Sequence, residues 1–409
     1  MTSEFIDNGV PSPHEESGRA DQANAAGRSA GMGRRFFLKG AASIAGAAAF
    51  LGSTEWASAG NGWSIGLSDV PKDKLLEIYT KMQTSRIWET AMKDQFLAGT
   101  DQLYGAFHPY IGEEAVANGV MANLNDDDYI ASTHRGHGHL IAKGGDLDQM
   151  SAEIYFRKTG YNKGFGGSMH MTDASKGILG MNGIVGPTYL ISAGAAYGAL
   201  VKGTKQVAVA FGGDGSVNNG WYYSGLRNAA LYNLPLIAVV ENNGYQISMP
   251  QERTNSLRNL SSFGAGVEIP HETVNGMDVL AVYAVAKRAV DRARAGGGPT
   301  LIEAKTYRFY DHAGWAGAKT GTMGAFGLPY RSDQEVRDWI QEDPIPRFRN
   351  QLISNGVATE DDLNKIDADV QAKVDKSVEM ARAAPLPDPK SGLENVYATG
   401  TVEATQFLA

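Results

Sequence analysis

Two short apolar runs, separated by one helix-length of chain, constrain this sequence more than any other feature. Gln206-Val207-Ala208-Val209-Ala210-Phe211 is rich in β-formers, and Leu236-Ile237-Ala238-Val239-Val240 is a second such run. A helical stretch from about Asn218 to Tyr232 lies between them. Strand, helix and strand at this spacing make a βαβ unit, with both strands parallel and buried. A helical pattern over Val279–Ala295 then leads to another strand, Thr300–Lys305. Such alternation predicts an α/β fold: a doubly wound, mostly parallel sheet with helices on both faces. Upstream, Pro71 suits a helix start, and Leu75, Ile78, Tyr79 and Met82 recur at helical spacing in a helix running to Leu97. A short helix is expected over Glu113–Leu124, and the charged tail from Asp333 to Ala384 is helical by pattern. The glycine-rich stretches 162–187 and 311–330 read as loops, the second of them mobile.

The chemistry sits where the two apolar runs end. Gly212-Gly213-Asp214-Gly215-Ser216 follows the first, and Glu241-Asn242-Asn243-Gly244-Tyr245 follows the second. In open α/β sheets, ligands bind beyond the carboxyl ends of the strands, so these loops should lie side by side. Asp214 and Asn243 offer a carboxylate and an amide oxygen, the hard donors that Mg²⁺ takes beside phosphate and water. Gly213 and Gly215 let backbone approach a phosphate, and the next helix starts there with its anion-favouring end. A magnesium diphosphate site is the expectation.

A lone Gly-Asp-Gly is a common turn, but here Asn242-Asn243 follows after a full helix and strand. That pairing resembles the thiamine diphosphate motif. From about Lys72 to Ala398 the chain is similar to the alpha subunits of heterotetrameric thiamine-dependent 2-oxo-acid dehydrogenases, of the pyruvate, branched-chain and acetoin types. The stretches that carry the likeness are HPYIGEEAVANGV from His108, STHRGHGHLIAKG from Ser132, GGSMHM from Gly166, MNGIVG from Met181, GDGSVNNG from Gly213, ENNGY from Glu241 and TYRFYDH from Thr306. The stretch around His134 is most similar to the acetoin branch.

The resemblance implies roles residue by residue. Asp214 and Asn243 would bind Mg²⁺ by side chain, with the Tyr245 carbonyl as a third ligand. Arg135 and Arg308 would pair with the diphosphate, as guanidinium forks suit phosphate oxygens. His134, Gly213, Gly215, Ser216 and Asn219 would line the cofactor near its phosphates, Asn219 standing where some relatives have Gln. Gly183 and Val185 would offer backbone groups to the aminopyrimidine ring. His108 would face the substrate, and His312 would stand beside the reacting carbon. Asp311-His312-Ala313 lacks the serine that is phosphorylated in some relatives, so that regulation is not expected. The resemblance further implies a separate beta subunit in an α2β2 enzyme, a 2-oxo acid or acetoin as substrate, and a lipoyl acyltransferase as acceptor. The alternatives are a split transketolase-like enzyme and an exported, non-catalytic thiamine diphosphate-binding protein. His108 with His134, His137 and His139 shows no recognised zinc spacing, so no zinc cluster is expected.

Residues 1–59 read as an address. A disordered, Ser/Gly/Ala-rich segment leads to Gly33-Arg34-Arg35-Phe36-Phe37-Leu38-Lys39, then a weakly apolar stretch, then Ala57-Ser58-Ala59. That order is a signal peptide, and the paired arginines resemble a twin-arginine signal. The chain is therefore expected to be exported or periplasmic, or cytoplasmic if the leader is not used. The working domain is expected over 60–400. With 43% hydrophobic and 20% charged residues, the chain is not mostly disordered. A net charge of −8 argues against a general nucleic-acid binder. There is no cysteine, which excludes disulfides, thiolate metal sites and a cysteine nucleophile. No stretch after the leader reads as transmembrane.

Overall fold

The computed structural model describes residues 65–98, 103, 105–313 and 330–393. The leader and signal expected over 1–59, and most of the glycine-rich segment 311–330, lie outside the described residues.

The first described helix, α1 (Lys72–Ala98), starts one residue after Pro71, whose carbonyl accepts the Leu75 N–H. After it come α2 (Glu114–Met121), β1 (Tyr129–Thr133), α3 (His137–Ala142), α4 (Leu147–Ile154) and β2 (Ile178–Asn182). Then follow α5 (Pro187–Lys202), β3 (Ala208–Gly213), α6 (Gly220–Leu231) and β4 (Leu236–Asn242). β5 (Tyr245–Gln246) and β6 (Met249–Pro250) form a small antiparallel hairpin, and α7 (Gln251–Thr254) follows it. β7 (His271–Asn275), α8 (Val279–Arg294) and β8 (Thr300–Lys305) complete the α/β part. The tail is α9 (Asp333–Gln341), α10 (Pro344–Ser354) and α11 (Glu360–Ala383), as its helical pattern predicts.

Six strands make one sheet, in the order β2-β1-β3-β4-β8-β7, every neighbouring pair parallel. Side chains alternate across it, and the two faces bury different things. Val209 and Phe211 of β3, Ile237 and Val239 of β4 and Ile302 of β8 join a core covered by α2 and α8. Ala208, Ala210, Ala238 and Leu301 point to the other face, under α5 and α6. The small side chains there admit a tight helix pair. At Gly225 a Cβ would come 2.7 Å from the Tyr189 carbonyl carbon, so α5 and α6 cross where α6 has no side chain.

Two expectations need correction. The segment 162–187 is not all loop, because Ile178–Asn182 is an edge strand paired with β1. Its Gly177 and Gly180 take positive φ, at 71° and 120°, so the run shows neither an alternating nor a continuous apolar pattern. The loop before it wraps an internal carboxylate: Glu153 accepts the N–H groups of Asn162, Gly164, Gly166 and Gly167 at 2.8–3.0 Å. The central helix also starts later than expected, because Asp214–Asn218 winds as a 3₁₀ turn before α6.

The six strands of this sheet being parallel, their carboxyl ends share one edge. The chain leaves β1 for β2 on one side and reaches β3 on the other, so a switch point lies between β1 and β3. The register sets the neighbouring ends level, with Thr133 against Asn182, Gly213 against Glu241 and Asn242 against Lys305. No helix among the described residues is long and apolar enough to cross a membrane.

Candidate active site

Every residue expected at the site lies at this edge or on the segment 106–112 that packs against it. His134 and Arg135 follow β1, Gly183 and Val185 follow β2, and Gly213 closes β3 with Asp214, Gly215, Ser216 and Asn219 just beyond. Asn243 and Tyr245 follow β4, and Arg308 and His312 follow β8.

One half of the site is a buried carboxylate facing a buried guanidinium. Asp214 is only 4% exposed, and its Oδ2 has no partner. Burial raises its carboxyl to about 6, against the pull of Arg308 and of the Asp214 and Gly215 N–H groups. Arg308 is 1% exposed; its Nη2 donates to the Ile247 carbonyl, while Nε and Nη1 have no hydrogen-bond acceptor and Nη1 has only a long 3.9 Å ion-pair contact with Asp311. Unsatisfied buried polar atoms are costly, so a pair of opposite sign implies a ligand that satisfies both. The Asn243 amide donates from Nδ2 to Glu113 Oε1 at 3.2 Å. Its Oδ1 accepts only the Tyr245 N–H among the hydrogen bonds it makes here, which leaves a lone pair for a cation. The Tyr245 hydroxyl is committed to Glu335 at 2.7 Å, so only its main chain can serve the site. The Ser216 hydroxyl donates to the Gly213 carbonyl at 2.5 Å and meets the Tyr189 hydroxyl at 3.0 Å, so it holds the turn. A Cβ on Gly215 would come 2.7 Å from Gln246 Cγ, which keeps this position bare. Asn219 caps α6 by accepting the Trp221 N–H and donates to the Val185 carbonyl at 2.9 Å, tying the loop that carries Gly183 and Val185 to the turn after β3.

The other half is imidazole. His108, His134 and His312 come from three separate segments, and their ring centroids lie 4.5, 4.8 and 5.2 Å apart pairwise. Burial and then the Arg135 charge depress all three to about 2, so all are neutral at physiological pH. Arg135 organises them. It donates to the Pro109 carbonyl at 2.7 Å and to the His312 carbonyl at 3.0 Å, and its Nη2 lies 3.2 Å from His312 Nδ1. A guanidinium cannot accept, so Nδ1 is the acceptor and neutral His312 carries its proton on Nε2.

Beneath both halves lies a buried polar layer that the sequence reading did not single out. Glu113 and Glu241 are almost fully buried. Glu113 Oε2 sits 3.7 Å from Arg135 Nε, and burial followed by the Glu241 charge raises its carboxyl pKa. Glu241 Oε1 accepts the Tyr110 hydroxyl and lies 3.1 Å from His139 Nε2, whose Nδ1 meets Ser132 Oγ at 2.8 Å. A usable signal existed: Glu113 directly follows the His108 segment, and Glu241 is a lone acid at the end of an apolar strand. His137 is likewise internal, with Glu89 Oε1 at 2.7 Å and Ser168 Oγ at 3.0 Å.

A parallel sheet that gathers such groups at its switch point belongs to the doubly wound α/β enzymes that seat an anionic ligand beside proton-moving side chains. Comparison with known proteins narrows the class. The family model described as Dehydrogenase E1 component matches residues 80–390. The acetoin:2,6-dichlorophenolindophenol oxidoreductase alpha subunit of Bacillus subtilis is 43% identical over 333 residues, covering 81% of this chain and 96% of that one. Its namesake from Cupriavidus necator is 41% identical, over 80% of this chain and 95% of that one. The pyruvate dehydrogenase E1 alpha subunit of Porphyra purpurea is 36% identical, over 78% and 92%. The chain belongs to the dehydrogenase E1 component family.

Proposed function

We propose that this chain is the alpha subunit of a thiamine diphosphate- and Mg²⁺-dependent enzyme that cleaves acetoin or decarboxylates a 2-oxo acid, working with a beta subunit. The observation that carries the reading is the pair of buried groups without hydrogen-bond partners, Asp214 Oδ2 and Arg308 Nε/Nη1. One needs a cation and the other needs an anion, and a magnesium diphosphate supplies both. Asp214, the Asn243 amide oxygen and the Tyr245 carbonyl would hold the metal. Arg308 would take the phosphate, with Arg135 and His134 nearby. Gly213, Gly215, Ser216 and Asn219 would shape the phosphate cradle, and Gly183 and Val185 would meet the aminopyrimidine. When bound, thiamine diphosphate supplies a nucleophilic carbon and an electron sink for breaking a carbon–carbon bond.

The histidines would handle protons around that chemistry. His312, with its proton on Nε2, would donate to a substrate oxygen. His108 faces the same space with an Nδ1 that has no partner, placed to accept a hydrogen bond from substrate. A neutral ring can both donate from one nitrogen and accept at the other, which imidazolium cannot. Arg135 would keep the His312 turn and the Pro109 segment in register through its two carbonyl contacts.

The need for a partner is supported by apolar surface left exposed on α5, α6 and the loop after β2. Val201 of α5 and Leu231 of α6 are 69% and 68% exposed, and Ile184, Tyr197, Leu200 and Tyr232 are exposed as well. Exposed apolar surface on this scale marks a surface made to be covered. The leader adds the proposal that the chain is exported, folded, by the twin-arginine route. The relatives' names pair acetoin with a dye acceptor, so the acceptor here need not be a lipoyl acyltransferase. The test is reduction of 2,6-dichlorophenolindophenol by acetoin or pyruvate, using chain copurified with its partner. Turnover that needs both thiamine diphosphate and Mg²⁺ is expected. Ketol transfer between sugar phosphates without dye reduction would point instead to a transketolase-like enzyme. Binding without turnover in any mixture would point to a binding protein. Full-length chain found only in the cytoplasm would remove the export proposal.

A further inference from the structure

We propose that His108, His134 and His312 form a binding site for a late first-row divalent cation of the Zn²⁺ type, distinct from the Mg²⁺ position at Asp214, and that its occupancy blocks the enzyme. One nitrogen from each ring lies within 4.8 Å of the others. Sequence spacing argued against a zinc site because it considered His137 and His139, which the fold points into the interior toward Glu89 and Glu241. The third imidazole comes instead from His312, beyond β8. The cluster is the same whatever cofactor the neighbouring groups hold, and only the block on the enzyme rests on the proposed roles of His108 and His312.

His108 is already arranged as a ligand. Its Nδ1 is buried with no partner, and the His134 and His312 rings lie 4.5 and 4.8 Å from its own, centroid to centroid. The rings are held neutral, so no proton has to leave when a metal enters. His312 would give up only its 3.2 Å contact between Nδ1 and Arg135, and its carbonyl would keep the 3.0 Å bond to that guanidinium. The opposing force is the positive charge of Arg135 and Arg308. It selects ions whose bond to imidazole is strong. Three imidazoles favour Zn²⁺, Ni²⁺ or Cu²⁺ and discriminate against Mg²⁺ and Ca²⁺, which prefer oxygen. A metal on these rings takes the free His108 nitrogen and breaks the contact by which Arg135 orients the His312 ring, so it must inhibit.

The test uses the full chain with its copurified partner, stripped with chelator and kept in excess Mg²⁺ without thiamine diphosphate. Co²⁺ serves as the coloured stand-in for Zn²⁺. The expected result is one equivalent bound per chain with the intense visible bands of a low-coordinate ion, displaced by Zn²⁺. His108→Gln and His312→Gln should each weaken binding by roughly 100-fold, and Asp214→Asn should leave it unchanged. X-ray absorption at the zinc edge needs no variant and should count three imidazoles. Binding indifferent to the histidine variants, loss of binding in Asp214→Asn, or oxygen-only scattering would overturn the site. None of those results would touch the thiamine reading, which is tested separately at Asp214.

Discussion

At the scale of single residues, the site is a set of groups placed where they are unfavourable for the fold alone. His108 shows it. Burial and the Arg135 charge hold its pKa near 2, below the ordinary 6.5. Between those values the unfolded chain binds a proton that the folded chain refuses. The histidine therefore subtracts stability as pH falls below about 6.5 and subtracts nothing above it. Asp214, raised to about 6, has the opposite sign: it loses stability as pH rises past its ordinary 3.8. In metal-stripped protein, His108→Gln should gain stability relative to wild type at pH 5 compared with pH 7, as read by urea melts at both. An equal difference at the two pH values would contradict the burial argument. The motif residues were legible because Asp214 and Asn243 sit at fixed offsets past two obvious strands. The histidine cluster was legible only residue by residue. Its members come from loops far apart in the chain, and only the fold shows that Arg135 ties two of those loops together. Glu113 and Glu241 escaped because a buried acid looks like any surface acid until burial is known.

At the scale of elements, local sequence and tertiary packing agree most closely in the centre of the sheet. β3, α6, β4 and β8 were readable because strands buried on both faces need unbroken apolar runs. The edges were not. β7 is His271-Glu272-Thr273-Val274-Asn275, with only Val274 buried, so it has no apolar signature and exists by pairing with β8. β2 hides among glycines for the same reason. Other glycines are packing requirements, and Gly138 on α3 is the sharpest. A Cβ there would come 2.2 Å from the ring of Tyr110, whose hydroxyl donates to Glu241. Gly138→Ala should cost about 1–3 kcal/mol in a denaturation melt, since overpacking a buried ring forces it to move. It should also lower activity, because Tyr110 lies on the segment that carries His108. A variant as stable and active as wild type would show that the ring has room to yield.

At the scale of the whole molecule, the described residues gather a polar floor and three histidines at the carboxyl edge of the sheet, and α5 and α6 carry an exposed apolar face. If that face receives the partner, charge placed on it should prevent assembly without unfolding the chain. Val201→Glu with Leu231→Glu alters two exposed side chains, so circular dichroism and the melting temperature should stay near wild type. Size-exclusion chromatography should then show the chain without its partner and turnover should vanish; an intact assembly would move the interface elsewhere. The central claim, however, is that Asp214 and Arg308 are left unsatisfied because a magnesium diphosphate satisfies them. The most direct measurement is calorimetric titration of thiamine diphosphate into the copurified assembly, with and without Mg²⁺, for wild type and Asp214→Asn. The account predicts that binding needs Mg²⁺ and falls at least 100-fold in the variant. It also predicts that the metal-free variant is at least as stable as wild type, by on the order of 1 kcal/mol, since a buried unpaired carboxylate has been removed. Binding that is independent of Mg²⁺, or equal in the two proteins, would contradict it.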